Sequence, residues 1–387
     1  MLTINGDYLK LGSYKNIVTD YKVSTPIEFE FNLSDINHQM LLHTTNRENR
    51  RRIRVNEISL KLKLKKYPSK VRVNNYSVFI KYDKEDTILI EIEYIKSQYI
   101  IKFNGKVYNQ FKAEIEDIFH PYLLRATGKE RSLVYNKIRR EMQEYIWIAT
   151  KLITRYFLSI NYITAIREGP SRFYFDDNSN ISSVGKTGQF TASSLYKLNR
   201  SKDTKVLNDR IVKWMKKFDL AERINIKEIE GEGIFKINLH NQNDLKLNIT
   251  DVGLGTSQIL PIVIESVMSD DGDINIFEQP EVHLQPKIQA DLIDMFVAEL
   301  RNGKNFIIET HSEHLINRLQ SRVADGTLIV DDVGIYYISN NEGYTDILKL
   351  DLNAYGEISN WPHSFFEDDL EDAIYRMEQM IQRKRGE

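Results

Sequence analysis

One stretch constrains the fold of this chain more than any other: DVGLGTSQILPIVIESV…INIFEQPEVHLQP…FIIETHSEHL, residues 251–315. Within it, INIF at 274–277 reads as a short apolar strand, and 286–301 carries helical periodicity. NFIIET at 305–310 reads as a second strand, with another helix from about 313. Strand, helix, strand at these lengths is a βαβ unit, which implies a parallel sheet with a right-handed crossover. The expected class is α/β, with helices on a partly parallel sheet.

The rest of the chain adds other architectures. Residues 2–110 read mostly as strand: Ile58, Leu60, Leu62 and Leu64 alternate with Ser59, Lys61, Lys63 and Lys65, the period of a half-buried strand. Further runs at 78–82, 88–95 and 99–103, with Asn104-Gly105 as a type I′ turn, suggest an antiparallel meander with one wet face. Val134, Ile138, Met142, Tyr145, Ala149, Leu152 and Tyr156 then form the stripe of one long amphipathic helix. A strand-like INYITAI follows, then a polar loop from Glu168 to about Gln189 and a basic helical region to 222. Runs 333–338 and 345–350 flank a hairpin turn at Asn340–Gly343. The expected organisation is a β-rich lobe (1–110), a helical middle (111–222), an α/β lobe (223–330) and a C-terminal extension (331–387).

Composition removes several function classes. The 387 residues contain no cysteine, which excludes thiolate catalysis, disulfides and cysteine zinc sites, and fits a cytoplasmic setting. No run of about 18 apolar residues is available for a membrane helix, and the first residues do not read as a signal peptide. With a net charge of −2 there is no global attraction to nucleic acid. Residues 47–72 nevertheless hold Arg47, Arg50, Arg51, Arg52, Arg54, Lys61, Lys63, Lys65, Lys66, Lys70 and Arg72. The lysines of 58–65 share a face that suits a phosphate backbone, and equally suits a solvated strand face that resists aggregation.

The chemistry sits at the strand ends. Glu278, Gln279 and Glu281 lie just past 274–277, and open α/β sheets bind ligands at the carboxyl ends of their strands. A carboxylate there suits Mg²⁺ held through water beside phosphates. Thr310 and His311 end the neighbouring strand. Gly253 and Gly255 precede an apolar helix, with Pro261 expected in its first turn; glycines let backbone amides approach an anion closely. Each feature alone has an ordinary structural reading, as a solvated strand end, a turn or a loop histidine. Their order and spacing together set them apart. His311-Ser312-Glu313-His314 lacks the spacing of a metal site, and Glu367, Asp368, Asp369, Glu371 and Asp372 read as a charged helix face, so no nuclease is expected.

On these residues the chain resembles the second half of an ABC-type, AAA-family ATPase head of the SMC/RecF/OLD group, in particular bacterial ATPases with a C-terminal domain of unknown function. The resemblance implies that Val252-Gly253-Leu254-Gly255 takes the place of the signature motif and Thr256, Ser257 and Gln258 start its helix, all facing nucleotide. It implies Glu278 at the Walker B metal position, Gln279 where the catalytic glutamate usually stands, with Glu281 as a substitute, and His311 as the switch histidine. His283-Leu284-Gln285-Pro286 resembles the D-loop. The likeness extends to Asn5–Tyr8, Leu11–Lys15, Glu168-Gly169-Pro170 with Arg172, Val184–Gly188, and the tail from Tyr355 through Phe365-Phe366. ATP and Mg²⁺ are the implied cofactors. Implied partners are a second head, identical or not, across a head interface, and an effector protein; the implied settings are DNA transaction and phage defence.

The pattern departs from that family at its beginning. The family opens with a strand, a G-x-x-x-x-G-K-[ST] loop and a helix, and this sequence begins after them. Its only G-K-T is Gly185-Lys186-Thr187, with Asn180 where a glycine should stand. Hydrogen bonds to charged groups are each worth ~1.5–3 kcal/mol. Losing ~5–6 kcal/mol weakens binding by about four orders of magnitude. The isolated chain is therefore expected to bind ATP poorly, its cradle coming from a partner or a longer form. The absent strand is expected beside 274–277, leaving that strand's backbone groups without partners unless the sheet rearranges. Gln279 cannot accept a proton, and general-base help is worth ~10²–10⁴-fold, so hydrolysis is expected to be slow. The alternative expectation is a catalytically dead protein- or DNA-interaction module.

Overall fold

The computed structural model of the chain describes residues 24–34, 36, 38–43, 50–67, 71–83, 86–96, 98–108, 111–115, 121–125, 133–176, 182–229, 233–341 and 343–362. The Asn5–Tyr8 and Leu11–Lys15 motifs, Phe365-Phe366 and the acidic run 367–372 lie outside them. Two units divide the chain, Met1–Leu158 and Ser159–Glu387.

Alternation builds the first unit. Strands β1 (Ile27–Leu33), β2 (His38–His43), β3 (Arg50–Lys66), β4 (Val71–Tyr82), β5 (Asp86–Ile95), β6 (Gln98–Phe103) and β7 (Lys106–Val107) form one antiparallel sheet in the order β1-β3-β4-β5-β6-β7. β2 pairs with the first half of β3. On β3, Ile58, Leu60, Leu62 and Leu64 are buried while Lys61 and Lys65 are exposed, the half-wet strand that the alternation predicts. Asn104 and Gly105 adopt φ of 47° and 78°, as a two-residue I′ turn between β6 and β7 demands. A short hairpin, β8 (Phe111–Glu114) and β9 (Tyr122–Arg125), leads to helix α1 (Leu133–Leu158). Met142, Tyr145, Ile146, Ala149, Leu152 and Ile153 of α1 share one core with the inner face of the sheet.

The wet face of β3 is not a free basic surface. The β1–β3 register sets Glu30 opposite Lys61 and Glu28 opposite Lys63. Their side chains meet at 2.9 Å and 2.5 Å. Two of the lysines expected to face a phosphate backbone are thus matched by carboxylates on the neighbouring strand.

The second unit contains β10 (Ile160–Ile163), β11 (Tyr174–Phe175), α2 (Thr191–Arg200), α3 (Lys205–Lys217), β12 (Arg223–Ile229), β13 (Ile234–His240), β14 (Lys246–Asn248), α4 (Leu254–Met268), β15 (Ile274–Glu278), α5 (Pro286–Leu300), β16 (Asn305–Glu309), α6 (Glu313–Ala324), β17 (Ile335–Asn341) and β18 (Tyr344–Leu350). β11 to β14 form a small antiparallel sheet. β10, β15 and β16 form a parallel sheet in that order, with Ile276 between Tyr162 and Ile307. β15 is therefore paired on both sides. The row of orphaned groups expected along 274–277 does not exist, because the INYI run at 160–163 takes the neighbouring place.

One face of this sheet is dry. Phe277, Phe296 of α5 and Phe306 pack as mutually tilted rings at centroid separations of 5.0–6.1 Å. On the other face Ile160, Tyr162, Ile274 and Ile276 are half-buried, and Ile307 is 57% exposed. Helix α4 is buried without a break from Thr256 to Val267. Pro261 lies at its middle, not in the first turn as expected, because the helix begins at Leu254 directly after Gly253. Proline removes one ladder bond there. Gly188 packs against its ring, so closely that a Cβ would sit 2.9 Å away.

Candidate functional site

The carboxyl ends of β10, β15 and β16 converge, as the parallel register requires. Glu278 ends β15 opposite Glu309 of β16. Its Oε1 accepts from the Tyr162 hydroxyl at 2.5 Å and its Oε2 from the Ala165 amide at 3.3 Å. Both donors belong to β10 and the turn after it, so neighbouring strands fix the carboxylate's orientation. Burial and the bond to Glu278 push the Tyr162 phenol up to about 12, so it remains a donor.

Beyond Glu278 the chain turns sharply. Gln279 and His283 have φ of 42° and 66°, a left-handed region that costs side-chain-bearing residues energy. The Gln279 amide donates to the Glu309 carbonyl (2.8 Å), extending the β15–β16 ladder by one step. Arg167 holds the turn from inside: its Nη2 donates to the carbonyls of Glu278 (2.9 Å) and Gln279 (2.8 Å), and its Nη1 to that of Gln258 (3.4 Å). Burial pulls this guanidinium down to about 10, and the Glu281 carboxylate offsets part of the fall. Glu281 is 8% exposed; its Oε1 accepts from the His311 amide at 2.9 Å, and its Oε2 has no partner among the described residues. Two buried side chains therefore tie the exits of all three strands to the first turn of α4.

The predicted residues fall into two groups. Glu278, Gln279, Glu281 and His311 come together, with the His311 imidazole exposed. Gly253 is exposed as the N-cap of α4. Gly255 faces the turn instead: a Cβ there would stand 2.6 Å from the His283 carbonyl oxygen. Thr256, Ser257 and Gln258 point inward and are buried, the Ser257 hydroxyl donating to the Leu254 carbonyl. Their burial follows from α4 being enclosed on all sides.

The 183–188 loop satisfies itself. The Gly185 amide donates to the Ser183 hydroxyl, the Thr187 amide to Gln189 Oε1 and the Gly188 amide to the Gly185 carbonyl. A phosphate loop aims such amides at its ligand instead. The Val184 amide and the Ser183 hydroxyl bind Glu265 of α4 (2.7 and 3.0 Å). Sequence reasoning missed Tyr162, Arg167, Glu265 and Glu309. The strand-like INYITAI run at 160–166 was the available signal for Tyr162. Nothing in the sequence pattern distinguishes Glu265 within an apolar helix from a solvated glutamate.

Among the described residues, no group of three or more His, Asp or Glu is placed to hold a metal. Glu278 still fits a magnesium–phosphate complex, since Mg²⁺ is usually held by one or two carboxylates plus waters and phosphates. Each of its oxygens, already accepting one hydrogen bond, keeps a lone pair for such a water.

Residues 174–316 match the family model described as an AAA ATPase domain, and residues 329–373 match a family of unknown function, DUF3696. The segment similar to an AAA ATPase domain runs from β11 into the start of α6 and takes in the Glu278, Gln279, Glu281 and His311 cluster. Comparison with curated proteins gives no match. Solved structures that resemble the chain include the SMC head domain from Thermotoga maritima, at 8% identity over 72% of this chain and 74% of that one, TM-score 0.32. An Smc head bound to the C-winged helix domain of ScpA matches at 11% identity over 72% and 75%, TM-score 0.33. An Smc head with an extended coiled coil, bound to a ScpA C-terminal domain derived from Pyrococcus furiosus, matches at 9% identity over 79% and 80%, TM-score 0.33. These overlays are too loose to transfer residue roles to this chain. None of its described helices is long and apolar enough to cross a membrane.

Proposed function

We propose that this chain is an ATP-handling subunit whose phosphate-binding loop comes from a partner or from a longer form of the chain. The observation that supports this best is the joint ending of β10, β15 and β16 at Glu278, Gln279 and His311, inside a segment that matches an ATPase domain. Glu278, oriented by Tyr162 and the Ala165 amide, is the residue that would hold Mg²⁺ through water at the Walker B position. The metal would supply charge neutralisation for phosphates. Gln279 orients the attacking water without taking its proton, and His311 contacts the terminal phosphate. Glu281 acts through the His311 amide rather than as a base. The exposed Gly253-Leu254 turn is offered to nucleotide held by a second head, while Thr256, Ser257 and Gln258 support that turn from within.

The setting proposed is the cytoplasm, in DNA transaction or phage defence with an effector protein. Direct DNA contact through 47–72 carries least of this proposal, since Glu28 and Glu30 neutralise two of the lysines. A catalytically silent interaction module is the second reading, favoured by Gln279 in place of a base.

The test is equilibrium Mg·ATP binding and turnover by the purified chain, alone and with candidate partners. Binding by the chain alone should be weaker than about 1 μM, and turnover should appear only with the completing element and vanish in Glu278→Ala. Tight binding by the chain alone that persists in Lys186→Ala would overturn the proposal. Partner-dependent turnover that survives Glu278→Ala would remove the metal role.

A further inference from the structure

The Gly185-Lys186-Thr187 stretch aims its amides inward, but two of its carbonyls bond one neighbouring turn. The Lys186 carbonyl accepts from the Thr164 amide at 2.8 Å and from the Thr164 hydroxyl at 3.2 Å. The Thr187 carbonyl accepts from the Glu168 amide at 2.8 Å. Gly185 and Gly188, at φ of 79° and 74°, flank Lys186 and Thr187 and permit the reversals that such a short loop needs. The loop thus grips the 164–168 turn at both ends.

That turn carries groups that shape the strand exits. Ala165, next to Thr164, donates to Glu278 Oε2, and Arg167, next to Glu168, bonds the carbonyls of Glu278, Gln279 and Gln258. Between them Ile166 is 84% exposed, so the apex of the turn has no apolar anchor. On its other side the loop rests on α4. The Val184 amide and the Ser183 hydroxyl both donate to Oε2 of fully buried Glu265, at 2.7 and 3.0 Å. Gly188 closes against Pro261, and Pro261 and Glu265, four residues apart, share the helix face that meets the loop. A carboxyl at the centre of an apolar helix is costly to bury, and packing alone gives no reason for it.

We propose that Glu265 is a positioning residue: through the 183–188 loop it holds the 164–168 turn, and so sets where Ala165 and Arg167 stand against Glu278. The brace belongs to the free chain; only its bearing on metal chemistry rests on the Glu278 reading above. It is also linked to a proton. Burial raises the Glu265 carboxyl to about 7 against the pull of the Val184 and Ser183 bonds; Asp273, just before β15, adds to the rise and Lys304, just before β16, opposes it. Opening the loop admits water and returns the carboxyl toward its ordinary 4.5. The closed brace is therefore most stable below 4.5, weakens as pH rises to about 7, and keeps none of this contribution above that.

Amide hydrogen exchange of the full chain, corrected for its intrinsic pH dependence, reads the brace without nucleotide or magnesium. The Val184, Thr164, Ala165 and Glu168 amides should exchange as one group, ahead of the amides of β13. Their protection should fall together by about tenfold or more between pH 5 and 8. Glu265→Gln keeps an acceptor and cannot titrate, so all four amides should hold their protection over that range. Glu265→Leu removes the acceptor and should speed all four by about tenfold or more already at pH 5. A pH response confined to Val184, exchange of 164–168 only together with β13, or a parent profile no steeper than that of Glu265→Gln would each overturn the proposal. Should Glu265→Leu fail to fold, the parent and Glu265→Gln decide alone. These outcomes stand apart from turnover and its loss in Glu278→Ala, which test the ATP-handling reading.

Discussion

Glu265 offers the sharpest test of the packing around α4. Its side chain is fully buried, Oε2 accepting from the Val184 amide and the Ser183 hydroxyl, and Oε1 without a partner among the described residues. Burial pushes its carboxyl up to about 7; the bonds from Val184 and Ser183 pull against this, Asp273 adds to the rise, and Lys304 opposes it. An acid with a raised folded value keeps its proton in the native state after the unfolded chain has released it. Its contribution is therefore complete below the ordinary value of 4.5, falls as pH rises from 4.5 to about 7, and is lost above that. At about 1.4 kcal/mol per pH unit, the loss is about 3 kcal/mol. Glu265→Gln keeps an acceptor for Val184 and Ser183 and cannot titrate. Its stability relative to the parent should therefore rise by about 3 kcal/mol between pH 4.5 and 8. Urea unfolding followed by Trp214, which is buried in the same core, reads this directly when Trp147 and Trp361 are replaced by Phe. A difference between the two proteins that stays within about 1 kcal/mol across that range would refute the reasoning, since the carboxylate would then be ionised and compensated in the native state.

Three further outcomes are expected. Gly255→Ala should lower the thermal midpoint by several degrees, about 1–3 kcal/mol, because its Cβ meets the backbone oxygen of His283 and neither the helix nor the turn can give way. Asp294→Ala should cost about 2–3 kcal/mol in chemical denaturation, since one carboxylate holds Lys217 of α3 and Arg318 and Arg322 of α6. Lys61→Ala with Lys63→Ala should leave retention on double-stranded DNA and its salt dependence unchanged, because Glu28 and Glu30 already occupy both ammonium groups; a fall in the salt slope of about two would show that these lysines do meet phosphate.

The legible parts of the fold were those that periodicity reaches. The βαβ unit at 274–309 and the long helix to Leu158 follow from local pattern, and so does the Asn104-Gly105 turn, because hydrophobic spacing and turn chemistry are local. What stayed hidden was lateral. That Ile160–Ile163 lies beside 274–278, more than a hundred residues away, is decided by which apolar runs share a core. Of the outcomes expected beside that strand, the rearranged sheet is the one the topology shows. The same holds for the charges: Lys61 and Lys63 form a basic face in sequence, and only the register with β1 shows the carboxylates opposite them. At the site, spacing picked out Glu278, Gln279, Glu281 and His311. Arg167 was not legible because its bonds go to backbone carbonyls of remote turns, and carbonyls carry no sequence signature.

The lateral order also decides where a completing element would enter. With β15 paired on both sides, an added strand can join only at β10 or β16. β10 is half-buried, ending in fully buried Ile163, whereas Asn305, Ile307 and Glu309 of β16 are exposed. Parallel sheets are covered on both faces by the helices of their crossovers, so the half-bare face of Ile160, Ile274, Ile276 and Ile307 calls for a helix as well as a strand. A strand laid parallel to β16 ends at the same edge as Glu309, Thr310 and His311, and the loop leading from it into a covering helix stands beside that histidine. Anion binding at such a loop uses the helix N-terminus and its free amides. An added strand, loop and helix at that edge would therefore both cover the exposed face and present free amides to an anion.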